Sequence, residues 1–195
     1  MVAYIIMTSP RDRMVASAAL LIRERGAQST AVADVLAHSG APRGSAYHYF
    51  PGGKGQLAAE AVRWADDLTA QVLIRATATG PCDGLTAFVT MWRQTLVDSD
   101  FRAGCPILAV AVEELADAAP RDAAVFAFGN WTSLLAGALR AHGVGQQQAM
   151  GTATLVVAAV EGAVAMCRAE RTTQPLDTVG RELRGVLKAV LERRD

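Results

Sequence analysis

Residues 43–54 read RGSAYHYFPGGK. Tyr47, His48, Tyr49 and Phe50 are consecutive, Arg43 precedes them, and Lys54 follows Pro51-Gly52-Gly53. Aromatic residues make up only 6% of the 195-residue chain, so this concentration needs a local cause. On a helix, successive residues are about 100° apart, and positions 47–50 span the full circumference. Some of these rings must therefore face outward. The flanks bound the element: Pro42 suits the start of a helix, and Pro51-Gly52-Gly53 cannot continue one.

The preceding residues supply the rest of a small helical unit. Ser9-Pro10 predicts a helix start by cap and proline. Met14, Ala18, Leu21 and Ile22 share one face of that helix, and Gly26 closes it. Thr30 is the predicted N-cap of a short second helix with Ala31, Val35 and Leu36 inside. Ser39-Gly40-Ala41 then makes a tight turn into a third helix, Pro42 to Phe50. Two short helices joined by a glycine turn form the helix-turn-helix plan, whose second helix enters the DNA major groove.

That plan gives each residue of the run a physical task. Arg43 can reach phosphates or a guanine edge, and Gly44 lets the backbone approach closely. Ser45 and His48 are short polar readers. Tyr47 and Tyr49 carry hydroxyls to phosphate oxygens, which positions the helix without reading sequence. Phe50 anchors it to the small core. Lys54 starts a long fourth helix, to about Thr79, where a cation and free N–H groups together suit a phosphate; Thr30 is expected to do the same at the second helix.

Bulk properties agree once distribution is considered. The formal net charge is zero, yet the chain up to Lys54 carries six basic and three acidic residues, leaving 13 and 16 beyond it. A basic head on a mildly acidic body suits a nucleic-acid partner at one end. Hydrophobic content is 51%, rich in alanine, valine and leucine, and no stretch shows sustained strand alternation. The expected class is all-α. Three cysteines, Cys82, Cys105 and Cys167, are far apart and lack C-x-x-C spacing, which predicts reduced thiols and no metal site. The apolar run in MVAYIIMTSPRDR is too short for a signal peptide, and the greasy stretch from Ala149 to Cys167 is interrupted by Glu161. A cytoplasmic protein with no membrane partner is expected.

After Gly80-Pro81, five further helices are predicted at about 84–98, 105–118, 121–142, 146–170 and 176–193. Val179, Leu183, Val186, Leu187, Val190 and Leu191 form an apolar stripe on the last. The second-last offers Gly151, Ala158, Ala159, Gly162 and Ala163 as small residues, with Leu155 and Val156 as knobs.

Residues 9–60 resemble the DNA-binding domain of the TetR family of transcriptional repressors. The resemblance rests on Thr30, Ser39-Gly40, Arg43-Gly44-Ser45, Tyr47-His48-Tyr49-Phe50 and Lys54 in that order. The PGGK insertion and Gly104-Cys105-Pro106 at the start of the sixth helix resemble the LmrA/YxaF-like branch. Two positions depart from the pattern: Pro42 replaces a small hydroxyl residue, and Ala46 stands where a larger aliphatic is usual, which thins the core beneath the helix.

The resemblance implies an N-terminal three-helix helix-turn-helix domain (1–55) and a C-terminal helical bundle (56–195) that binds an effector and dimerises through the last two helices. A recognition helix this short also favours pairing across a palindromic operator in double-stranded DNA. The large side chains of the middle helices either fill the core or line a cavity; as a group they resemble the family's apolar effector pocket. Phe88, Trp92, Phe126, Trp131 and Met166 are its candidate walls, with Glu113 or Asn130 as a polar handle. The implied effector is small and hydrophobic or aromatic. No cofactor is implied.

An enzyme is the contrasting reading, and little favours it. His38, His48 and His142 are isolated, no glycine-rich phosphate loop is present, and Glu113 and Glu114 are adjacent and so diverge on a helix. No catalytic residue is assigned. A second alternative is a helical small-molecule-binding module or co-regulator of the same fold without sequence-specific DNA binding, and the basic and aromatic set from Arg43 to Lys54 argues against it.

Overall fold

The computed structural model describes residues 9–193, so the opening apolar run before Ser9 lies outside the described residues. Among those described, every regular element is helical: α1 (Pro10–Arg25), α2 (Val32–Ser39), α3 (Ser45–Tyr49), α4 (Gly53–Thr77), α5 (Pro81–Asp98), α6 (Pro106–Ala111), α7 (Ala118–Ala141), α8 (Gln146–Glu170) and α9 (Gln174–Glu192). Packing divides the chain into two compact units. One takes residues up to Asp66 together with Cys105–Ala127; the other takes Asp67–Gly104 with the chain from Phe128 onward.

In the first unit the helix boundaries follow their caps. Ser9 is the N-cap of α1, its side chain accepting the Asp12 N–H at 3.0 Å, with Pro10 in the first turn. Gly26 ends α1 at φ 84° and Gly40 ends α2 at φ 65°, backbone that favours glycine. The predicted N-cap Thr30 is corrected. The cap of α2 is Ala31, whose N–H bonds the Asp34 carboxylate at 3.3 Å, while the buried Thr30 hydroxyl donates to the Gly26 carbonyl at 2.7 Å. The core of this unit is built from Met14, Ala18, Ile22, Val35, Phe50 and Leu57. His38 Nδ1 lies 2.9 Å from the Ser17 hydroxyl, and Arg13 Nε donates to the Ser39 carbonyl, so polar ties link α1 to the C-terminal end of α2. Surface pairs such as Arg25–Asp34 (2.7 Å) add at most about 1 kcal/mol each.

Two helices differ from the sequence expectation. The third begins at Ser45, not Pro42, because residues 42–45 first form a turn closed by Ser45 N–H to Pro42 carbonyl at 2.9 Å. The sixth was expected to reach about 118 but stops at Ala111; residues 112–117 leave the helix for contacts described below.

In the second unit α9 packs on α5 and α8. Leu176, Leu183 and Leu187 turn inward from α9, and Ala153, Val156, Val160, Val164 and Cys167 from α8. Helix α8 is apolar and long enough to cross a membrane by length and composition, but half of its apolar stretch is buried in the fold, Glu161 included. That is the pattern of a core helix.

Candidate nucleic-acid interface

Helix α3 has two faces. Ala46 and Phe50 are buried, Phe50 at 3% exposure, whereas Tyr47 is 88% exposed and His48 is also exposed. Burying one phenylalanine stabilises by about 1.5–3 kcal/mol, enough to fix the orientation of a five-residue helix that could not persist alone. The Arg11 guanidinium lies over the Phe50 ring, 5.7 Å from its centroid. With Phe50 anchored, Tyr47 and His48 project outward beside Arg43 and Gly44, which are exposed as well. Tyr49 and Ser45 are half-buried, and the Tyr49 ring packs edge-on against His48 at 5.0 Å. The outward group thus combines a guanidinium, an imidazole, a phenol and a glycine backbone, the donors that phosphates and base edges accept.

The remaining expected DNA contacts are placed differently. Thr30 is buried with its hydroxyl committed to Gly26, so it is not presented to a phosphate. Lys54 is exposed in the first turn of α4, where a cation was expected, and its Nζ donates to the Gln28 carbonyl at 2.7 Å. Beneath α3 an open groove of about 800 Å³ is lined by Val32, Leu36, Ala46, Tyr47, Phe50 and Leu57 among others. It lies where the small Ala46 side chain leaves the core thin.

The expected effector residues divide. Phe88, Trp92 and Trp131 are buried together in the second unit: Phe88 meets Trp131 edge-on at 5.6 Å and Trp92 at 6.2 Å, and Phe128 meets Trp131 at 5.8 Å. The indole N–H groups of Trp92 and Trp131 are buried without a hydrogen-bond acceptor among the described residues. Asn130 is half-buried, one residue before Trp131. The other candidates stand apart. Phe126 and Met166 are 66% and 52% exposed, each on an outward face of its helix. Glu113 lies in the first unit, where one carboxylate oxygen accepts the N–H groups of Ala27 and Gln28, both at 2.9 Å. As a pocket handle Glu113 is therefore corrected, because its acceptor is already engaged with the α1–α2 turn. Sequence reading missed Gln28, which meets Glu113 through its N–H, and Asp117, whose carboxylate lies against Gly55; neither belongs to a motif, and only the folded chain makes these contacts.

Comparison with known proteins agrees with this geometry. Residues 15–61 match the family model of bacterial regulatory proteins of the tetR family, and residues 81–182 match the C-terminal domain of LmrA/YxaF-like transcriptional regulators. An uncharacterized HTH-type transcriptional regulator of Mycobacterium tuberculosis is 48% identical over 196 residues, covering 96% of this chain and 99% of that protein. The HTH-type transcriptional regulator LmrA of Bacillus subtilis is 30% identical over 169 residues, covering 85% and 90%. Among solved structures, a TetR transcriptional regulator from Legionella pneumophila superposes with a TM-score of 0.82 at 20% identity, over 93% of this chain and 98% of that one. A regulatory protein TetR from Rhodobacter sphaeroides gives 0.79 at 24%, over 90% and 98%. These two establish the fold alone. With both halves matched, the chain belongs to the TetR family of DNA-binding transcriptional regulators, in its LmrA/YxaF-like branch, and not to any class of enzyme.

Proposed function

We propose that the protein is a cytoplasmic, ligand-responsive repressor that binds a palindromic operator as a homodimer and is released by a small hydrophobic or aromatic effector. The observation that carries the DNA half is the two-faced α3, with Phe50 and Ala46 inside and Arg43, Tyr47 and His48 outside. In functional terms residues 1–55 read the DNA, and residues 56–195 serve effector binding and dimerisation.

Dimerisation is supported by α8. Gly151, Leu155, Ala158, Gly162 and Met166 are exposed at helical spacing, while Val156 and Ala163 point into the fold. Small residues interleaved with Leu155 and Met166 suit close helix approach. Val186 adds an exposed apolar group on α9, whose Leu183 and Leu187 are already used inside. Two recognition helices one DNA turn apart, about 34–36 Å, would then meet two half-sites.

Effector binding is supported by the buried aromatic cluster. Each indole N–H left without an acceptor costs about 1–3 kcal/mol, which a ligand carrying a carbonyl or ether oxygen would recover. Release follows by linkage: a ligand that favours a DNA-incompatible conformation lowers operator affinity, and operator lowers ligand affinity by the same factor.

The test is selection of duplexes from a random pool by the purified protein at moderate salt, followed by sequencing. Enrichment of one palindrome is expected. A folded, dimeric protein that enriches nothing would refute the operator reading.

A further inference from the structure

We infer that Glu113 is a positioning residue for DNA binding, holding the α1–α2 turn and, through Gln28, Lys54 in place. The inference rests on the DNA-binding reading above. Glu113 follows the C-terminal end of α6, 85 and 86 positions from the amides that it accepts. Ala27 is almost wholly buried, so its N–H has no water to turn to if the carboxylate is removed. Gly26 faces the same carboxylate at φ 84°, and a β-carbon there would collide with it. Backbone and carboxylate are thus fitted to each other at a position where only glycine serves.

The contact continues on both sides. The Gln28 side chain donates to the Glu114 carbonyl at 2.6 Å, and the Gln28 carbonyl accepts Lys54 Nζ at 2.7 Å. Asp117 caps α7 by accepting the Ala119 N–H at 2.9 Å, and its carboxylate lies directly against Gly55 in the first turn of α4. Residues 113–117 therefore touch the turn before α2 and the start of α4, which bracket α2 and α3 in sequence. Every one of these contacts lies within the first compact unit, although residues 113–117 fall inside the stretch matched by the C-terminal family model. A segment of the effector-responsive half is in this way built into the reading head. Its Glu113 carboxylate holds the turn before α2 and its Asp117 carboxylate lies against the start of α4, the two ends from which the recognition helix hangs, and that pre-organisation is what operator binding draws on.

The test uses the full-length protein, the duplex recovered by selection, and a temperature at which circular dichroism shows every variant folded. Amide exchange at Ala27 and Gln28 and operator affinity by fluorescence anisotropy are measured for the unsubstituted protein, Glu113→Ala, Glu113→Gln, Lys54→Met and Glu113→Ala/Lys54→Met. Glu113→Ala is expected to speed exchange at both amides at least tenfold and to weaken operator binding about tenfold. Glu113→Gln keeps an acceptor oxygen and should change both by about two- to threefold; it carries the test if the alanine variant does not fold. The double variant should lose no more than the worse single, because both residues act through Gln28, whereas a merely structural Glu113 would give multiplying losses. Faster exchange with unchanged affinity, unchanged exchange, or multiplying losses each overturns the inference. If the unsubstituted protein binds no duplex, the DNA-binding reading fails and this inference with it, and the exchange data still show whether Glu113 holds the turn.

Discussion

Replacing Ala46 by leucine should stabilise the protein. Ala46 is 6% exposed and lines the groove under α3 with Val32, Leu36, Phe50 and Leu57, so added carbons enter an apolar space. Three extra carbons at ~0.8 kcal/mol each would give ~2.4 kcal/mol if fully covered. The groove is open on one side, so about two-thirds of that is retained, ~1.6 kcal/mol. Fixing the leucine rotamer costs ~0.6 kcal/mol, which leaves ~1 kcal/mol. For a chain of this size that corresponds to a rise in Tm of about 2–4 °C. The assay is thermal unfolding by circular dichroism at two protein concentrations, since a dimer's midpoint depends on concentration. Tyr47 also lines the groove, so operator affinity is measured alongside and should stay within about threefold if the leucine fills the apolar space without displacing that ring. A Tm lowered by more than 2 °C would refute the reasoning: the space beneath α3 would then be unable to accept a side chain, and the thin core read from Ala46 would be an illusion.

Tyr47→Ala or His48→Ala should abolish specific operator binding with Tm unchanged to within about 2 °C, since both side chains are exposed; specific binding retained by either variant would count against α3 as the reading helix. Trp131→Ala should destabilise by about 3–5 kcal/mol in urea unfolding, because its ring is fully buried among Phe88, Trp92 and Phe128. Trp131→Phe should cost clearly less, as it also removes the indole N–H that lacks an acceptor. Leu155→Glu should convert the proposed dimer to a folded monomer in sedimentation, the residue being exposed within the α8 stripe. Burial pushes the Cys167 thiol above its ordinary range, so iodoacetamide at pH 8 should label the half-buried Cys82 well before Cys167. Since a raised thiol pKa favours the neutral folded form, the stability it contributes is complete below about pH 8.5 and is lost as pH climbs through the raised value, a dependence that Cys167→Ala should remove.

The readable parts of the sequence were those governed by local chemistry. Ser9-Pro10, Gly26, Gly40 and Pro51-Gly52-Gly53 punctuate the first unit because capping and left-handed backbone depend on a residue and its near neighbours. The two-faced α3 followed from four rings on one short helix, with Phe50 the ring that carries no polar group. Thr30 misled because a threonine before an apolar run is a generic cap signal; here Asp34 reaches back to Ala31 and frees the Thr30 hydroxyl to go inward. The sixth helix was overextended for a related reason. Residues 105–118 read as one helix, whereas Glu113, past the end of α6 at Ala111, is engaged with the distant amides of Ala27 and Gln28. For Phe126 and Met166, size alone suggested a pocket wall. Which face of a helix turns inward depends on partners hundreds of atoms away, and both residues turned out.

The way the first unit is assembled also bears on how far this regulator is modular. Cys105–Ala127 packs with the chain up to Asp66, so the reading head is not a cassette that can be cut out at residue 55. Grafted onto a foreign body, such a fragment would carry the amides of Ala27 and Gln28 without the carboxylate that receives them. Its Gln28 side chain would likewise lose the Glu114 carbonyl. A chimeric repressor built from this chain must bring the 105–127 passage along with the head, or find in its host a carboxylate standing where Glu113 stands.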